Sequence, residues 1–233
     1  VMNIDSLRQL FDQPLQGYDN HEAYAVSGPS NVVRNELNYT SLFVANNNVE
    51  CGDSVRIGIV FSGGPASGGH DVICGILSHL RPTDQLIGFC GGPGGLLRGI
   101  TKVISPSDID NIRETGGFDF LGTDRTKIAT SDQFDLVRDQ VRLHELSALI
   151  IVGGDDSNTN ALYLADALYG ECLVIGVPKT IDGDLRKMPY LPITFGFHSA
   201  TQHYSYLVEQ LNIDSNATKK YWHIIKLMGR SAS

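Results

Sequence analysis

The chain has 233 residues, of which 42% are hydrophobic and 19% charged, and its formal net charge is -8. That length suffices for one large domain, or for one domain and part of another, and the apolar share excludes a disordered chain. The acidic balance argues against nucleic acid as a partner, and no run approaches the roughly 18 apolar residues of a membrane helix, so no membrane partner is expected.

Cys51, Cys74, Cys90 and Cys172 form no C-x-x-C pair, and three lie in or beside apolar runs. They read as reduced thiols of a cytoplasmic protein. The start, VMNIDSLRQL, carries charges and no apolar core, so it is not a signal peptide. A valine before Met2 and a last stretch, IIKLMGRSAS, that stops just past an apolar run predict a piece of a longer protein.

Residues 1–54 have mixed periodicity and read as an extension of helix and loop. VRIGIVF (55–61) is a continuous apolar strand, followed by the loop SGGPASGG. HDVICGILSHL places Val72, Ile73, Ile76, Leu77 and Leu80 on one helical face. QLIGFC (85–90) is a short strand, and GGPGG reads as a turn. SPSDIDNIRE opens like a helix, with Ser105 as N-cap, Pro106 at the first helical position and Asp108 at the third. Ser131 caps a helix over 131–146. SALIIV (147–152) is a strand, and NTNALYLADALY a helix with Ala161, Leu164, Ala165 and Leu168 inward. CLVIGV (172–177) is a strand that leads into PKTIDGDL. HSATQHYSYLVEQL (198–211) is a helix with Tyr204, Leu207, Val208 and Leu211 inward, and YWHIIKLM (221–228) is a last strand.

Strands that are apolar throughout, alternating with amphipathic helices, predict a doubly wound, mostly parallel, Rossmann-like α/β sheet with helices on both faces. Residues 55–193 form that domain, and 194–233 begin a second α/β lobe. Ligands of such sheets bind beyond the C-terminal strand ends, where the turns SGGPASGG, GGPGG, GGDDSN and PKTIDGDL fall.

Glycines let backbone N–H groups approach a phosphate, and a helix N-terminus adds partial positive charge. One such loop is equally a tight strand-to-helix turn. Two glycine loops and an acidic one at a single sheet edge point to a polyphosphate. In GGDDSNTNA an aspartate could simply cap the helix, but Asn158 or Thr159 can do so, which leaves Asp155 and Asp156 surplus. A carboxylate beside a phosphate is sensible when Mg²⁺ lies between them, so Asp155 is assigned to the metal. In PKTIDGDL, Asp182 and Asp184 flank Gly183, either as an ordinary Asp-Gly turn or as a general base that takes a hydroxyl proton. Lys179 is either a surface lysine or a phosphate-holding cation. Donor loops, a metal carboxylate, a base and cations together describe phosphoryl transfer. The seven histidines show no metal-ligand spacing.

The ordered set SGGPASGGHDVI, GGDDSNTNA, PKTIDGDL and MGRSAS resembles the diphosphate-dependent phosphofructokinases, over roughly residues 55–233. The resemblance implies phosphoryl transfer from inorganic diphosphate to the 1-hydroxyl of fructose 6-phosphate, with Mg²⁺, in a cytoplasmic homo-oligomer, a dimer or larger. It implies donor contacts at Gly63, Gly64, Arg125, Gly154 and Ser157, and a magnesium ligand at Asp155. It implies a sugar-phosphate segment at Thr180, Ile181, Asp182 and Asp184, with Asp182 the base, and a second one at Met228, Gly229 and Arg230, the last a charge stabiliser. ATP-dependent members carry glycine at the positions of Asp156 and Lys179. A carboxylate at 156 would repel the extra phosphate of a nucleotide by about 4 kcal/mol at ~4 Å and an effective dielectric of ~20, which excludes ATP. Lys179 would stabilise the leaving phosphate. ATP-dependent members also have an arginine where this chain has Tyr221. The competing expectations are an ATP-dependent 6-phosphofructokinase or other kinase with a GGDG turn, which ATP binding would favour, a non-catalytic or regulatory subunit or inactive fragment, and a magnesium-binding module.

Overall fold

The computed structural model describes residues 54–113, 115, 117–185 and 194–228. The expected extension over 1–54 lies outside them apart from Ser54. In chain order the elements are β1 (Arg56–Phe61), α1 (Gly69–His79), β2 (Gln85–Phe89), α2 (Gly92–Arg98) and β3 (Thr101–Ile104). A 3₁₀ turn (Pro106–Asp108) leads into the one-turn helices α3 (Ile109–Ile112) and α4 (Phe118–Leu121). Then come α5 (Ser131–Leu143), β4 (Ala148–Gly153), α6 (Asp155–Ala167), β5 (Leu173–Thr180), β6 (Phe195–Gly196) and α7 (Phe197–Thr218).

The strands form one sheet in the order β3-β2-β1-β4-β5-β6. All neighbours are parallel except β2 and β3. The first strand therefore stands inside the sheet, and the chain leaves it to one side through β2 and returns on the other through β4. The C-terminal ends of β1 and β4, where the direction of winding reverses, open the crevice in which such sheets hold ligands.

The apolar strands are explained by cover on both faces. On one face Ile57, Ile59 and Phe61 of β1 pack with Ile73 and Leu77 of α1, Ile112 and Phe118. On the other, Val60 packs with Val137 and Val141 of α5 and with Leu164 and Leu168. Phe61 stacks on Phe118 with ring centroids 4.4 Å apart. Each such fully buried side chain stabilises by about 1.5–3 kcal/mol.

Several expectations are corrected. GGPGG is the start of α2 and not a turn. Pro93 fits its first turn, and side chains at Gly92 and Gly94 would collide with Asp124 and one at Gly95 with the Cys90 carbonyl. A short antiparallel edge strand, β3, follows. The cap of α5 is Thr130, whose Oγ1 accepts from Gln133 N while the Gln133 side chain accepts from Thr130 N. Ser131 is already helical. Ser105 does cap its turn, its N–H and hydroxyl both donating to Asp108, but the helix beyond lasts one turn. Residues 221–228 are exposed and irregular instead of a strand, with Trp222 98% exposed. Leu207, Val208 and Leu211 of α7 face solvent rather than a core.

Cys74, Cys90 and Cys172 are free, and burial, with the neighbouring Glu171 charge, pushes the Cys172 thiol up to about 12. No helix among the described residues is long and apolar enough to cross a membrane.

Candidate active site

A cleft of about 480 Å³ opens at the C-terminal ends of β1, β4 and β5. Four stretches far apart in sequence build it. The first is the loop after β1. Gly63 there has φ 88°, a left-handed conformation that favours glycine. Its own carbonyl and that of Phe61 accept from Thr123 Oγ1, and its N–H donates to the Asp124 carbonyl at 2.8 Å. Gly64 lies against Arg125: a β-carbon there would sit 3.6 Å from Arg125 Nη2.

The second stretch, Thr123 to Ile128, has no helix or ladder of its own beyond a bridge between Ser62 and Asp124. Side chains hold it instead. The Asp124 carboxylate accepts from Gly94 N, Thr126 N and Thr126 Oγ1, and the Asn160 amide bonds both backbone groups of Ile128. Arg125 and Lys127 project from it, both exposed.

The third is the start of α6. The helix runs from Asp155, three residues earlier than the Asn158 start expected, and its N-cap is Gly154, which offers no side chain. Neither Asn158 nor Thr159 is therefore the cap. Asn158 is fully buried and donates to the Gly153 and Gly154 carbonyls, both at 2.8 Å, which binds the helix to the end of β4. Asp155 and Asp156 occupy the first turn, where carboxylates interact favourably with the helix dipole. Asp155 is half-buried and Asp156 exposed on the rim. Ser157 Oγ donates to Ser62 Oγ at 2.8 Å, joining α6 to the first loop.

The fourth is the end of β5. Lys179 is only 6% exposed, with its ammonium 5.8 Å from the Phe118 ring centroid. A β-carbon on Gly63 would come within 3.9 Å of that nitrogen. Burial holds the Lys179 ammonium below the ordinary lysine range. Asp182, Asp184 and Asp155 work against this and Arg125 with it. The turn that follows is folded by Thr180, which accepts from Asp182 N at 2.9 Å and donates to Asp184 Oδ1 at 3.0 Å. Gly183, at φ 71°, closes the Asp-Gly turn.

Gly63, Gly64, Arg125, Gly154, Asp155, Asp156, Ser157, Lys179, Thr180, Ile181, Asp182, Asp184 and Met228 all line this one cleft. Gly229 and Arg230 lie outside the described residues. Sequence reasoning passed over Ser62, Thr126, Lys127 and Asn160, which line it too. Lys127 could have been noticed as a second cation two residues after Arg125. Nothing in the sequence marks the pairing of Asn160 with Ile128, 32 positions away. Among the described residues no three His, Cys, Asp or Glu side chains gather as a ready-made metal cage.

Comparison with known proteins meets this geometry from the other side. The chain is 44% identical over 196 residues to the pyrophosphate–fructose 6-phosphate 1-phosphotransferase of Entamoeba histolytica, covering 82% of this chain and 36% of that one. It is 49% identical over 185 residues to the protein of that name from Treponema pallidum, covering 77% and 32%. The chain thus spans about a third of the length of these curated relatives. Among solved structures, the fold matches the pyrophosphate-dependent phosphofructokinase of Nitrosospira multiformis with a TM-score of 0.59 at 19% identity, over 72% of this chain and 43% of that one. The family model described as phosphofructokinase matches residues 56–233, the stretch that holds all the described strands and the described residues lining the cleft, and the chain accordingly belongs to the phosphofructokinase family.

Proposed function

We propose that this cleft holds inorganic diphosphate and that the protein to which the chain belongs transfers its terminal phosphoryl group to the 1-hydroxyl of fructose 6-phosphate. The observation that carries the proposal is the buried Lys179 facing a glycine loop and three carboxylates at the reversal point of the sheet. A desolvated cation beside backbone N–H groups suits a bound phosphate. The names borne by the relatives at 44–49% identity support the choice of substrates.

In this scheme residues 55–193 are the donor domain, and 194–233 begin the sugar-phosphate lobe, after an N-terminal extension over 1–54. Gly64, Gly154 and Ser157 offer the diphosphate backbone N–H groups, Gly63, whose own N–H is bonded to the Asp124 carbonyl, lets it approach closely by lacking a side chain, and Arg125 lies over the first loop as a counter-charge. Thr180, Ile181 and Asp184 form the floor toward the sugar phosphate, with Met228 lining the same cleft, and Gly229 and Arg230, which follow it in sequence, are assigned to the same substrate, Arg230 as a charge stabiliser. Asp182 accepts the proton of the attacking 1-hydroxyl. The new O–P bond forms as the bridging P–O bond breaks, and the electron pair leaves with the departing phosphate, beside Lys179. Such positioning and charge stabilisation supply most of the rate in phosphoryl transfer.

The residues fit a magnesium ion. Mg²⁺ keeps several waters and takes one or two carboxylates plus phosphate oxygens, so Asp155 at the cleft wall suffices without a protein cage. When bound, the ion neutralises the negative charge on the diphosphate. Asp156 on the rim sets the donor by repelling the additional phosphate of a nucleotide. A cytoplasmic homo-oligomer, dimer or larger, completes the proposal.

Calorimetric titration with magnesium pyrophosphate, and separately with magnesium ATP, tests it. Binding of pyrophosphate alone is expected. ATP bound as tightly or more tightly would refute the donor assignment.

A further inference from the structure

The charged walls of the cleft are fastened to one another by side chains that take no part in the chemistry just described. Ser157 joins α6 to the first loop, and Thr123 joins that loop to the segment bearing Arg125 and Lys127. The remaining link, between that segment and α6, is Asn160. Resting on the function proposed above, we propose that Asn160 is a positioning residue for the diphosphate donor: it fixes Arg125 and Lys127 relative to Asp155 and Asp156 by clamping Ile128.

The geometry of the clamp is specific. Asn160 is 8% exposed in the second turn of α6. Its Oδ1 accepts from Ile128 N at 3.0 Å and its Nδ2 donates to Ile128 O at 2.7 Å. One amide thus satisfies both backbone groups of one residue, as a neighbouring strand would. Ile128 is itself 2% exposed in the core beneath α5 and α6. At the other end, the Asp124 carboxylate takes Gly94 N at 3.2 Å, Thr126 N at 3.2 Å and Thr126 Oγ1 at 2.6 Å. Only Arg125, Thr126 and Lys127 stand between the two clamps. Three residues without helix or ladder would otherwise sample many backbone states. Held at both ends, they keep the Arg125 guanidinium over Gly64, so that the cations are placed before the ligand arrives and less ordering is needed on binding.

The test compares wild type, Asn160→Ala, Arg125→Ala and the double variant by titration with magnesium pyrophosphate. Hydrogen exchange at the Ile128 amide is followed in parallel. Asn160→Ala should weaken binding roughly 10-fold, the scale of one lost hydrogen bond to a charged group, and should speed exchange at Ile128. If Asn160 acts through Arg125, the double variant should bind little worse than Arg125→Ala alone, because the two effects are coupled. Faster exchange with unchanged affinity would make Asn160 a purely structural tie and overturn the inference, as would a full 10-fold loss persisting in the Arg125→Ala background. Should Asn160→Ala fail to fold, Asp124→Asn loosens the other clamp without leaving a cavity and carries the same expectation of coupling. A wild-type chain that binds no pyrophosphate would refute the proposed function and this inference with it. Binding by wild type together with indifference to both clamps would refute this inference alone.

Discussion

Replacement of Lys179 by methionine should separate folding from ligand binding. The two side chains are similar in length and volume, so the site, 6% exposed, is refilled. The lysine charge is disfavoured by burial before any ligand arrives, and methionine removes that cost. The carboxylates it faces, Asp155, Asp182 and Asp184, are half-buried on the open cleft, so they keep water and escape the larger penalty of a stranded buried charge. These terms offset one another, and the folding free energy should change by no more than about 1 kcal/mol. Binding has no such compensation. A charge-assisted hydrogen bond to phosphate contributes about 1.5–3 kcal/mol, so affinity for magnesium pyrophosphate should fall roughly 10- to 150-fold. Chemical denaturation gives the first quantity and calorimetric titration the second. A variant that loses several kcal/mol of stability yet binds pyrophosphate as before would refute the reasoning and make Lys179 a structural ion-pair partner.

Three further outcomes are expected. Asp156→Gly should let magnesium ATP bind where wild type does not, while pyrophosphate affinity drops less than about 10-fold, the range of one exposed charge pair. No gain of ATP binding, read by the same titration, would remove Asp156 as the selectivity device. Gly63→Ala forces a side chain into φ 88°, at a cost of about 1 kcal/mol, and places a β-carbon 3.9 Å from both Lys179 Nζ and Ser157 Oγ. Thermal unfolding should show the modest loss and titration a much larger loss of pyrophosphate binding. The pH dependence follows from the lowered Lys179 value. The unfolded chain holds that proton more tightly than the folded one, so the contribution of Lys179 to stability rises with pH between its folded pKa and 10.5. Pyrophosphate affinity should fall as pH climbs through the same lowered folded value, below the ordinary lysine range, and Lys179→Met should abolish both slopes.

Much of the site was legible because chemistry at sheet edges is written in short runs. Glycine and aspartate clusters directly after apolar strands declare both their place and their charge, and Gly63, Asp155, Lys179 and Asp182 meet in one cleft as that pattern implies. What was hidden depended on distant partners. GGPGG carries a turn composition, yet close packing against Asp124 and Cys90 makes it helical. α6 starts earlier than the sequence implies because its cap is a glycine, while the usual capping side chains, Asn158 and Thr159, point further along. Leu207, Val208 and Leu211 of α7 have the spacing of a buried face, but spacing cannot say what would cover it. Asn160 looked like one more polar helix residue because its bonds reach across 32 positions.

Those distances also govern when the site can exist during folding. The Ser157–Ser62 hydrogen bond spans 95 positions and the Thr123–Gly63 bond 60, and Lys179 enters only with β5. Closing loops of that length costs chain entropy before any contact offsets it, and parallel strands, joined only by crossovers, assemble slowly. No subset of the strands makes half a cleft: Gly63 needs β1 placed, Asp155 needs β4 and Lys179 needs β5, each seated beside the last. Anion binding during refolding should therefore appear late and in a single step, together with the final docking of β5, rather than growing in as the sheet accumulates.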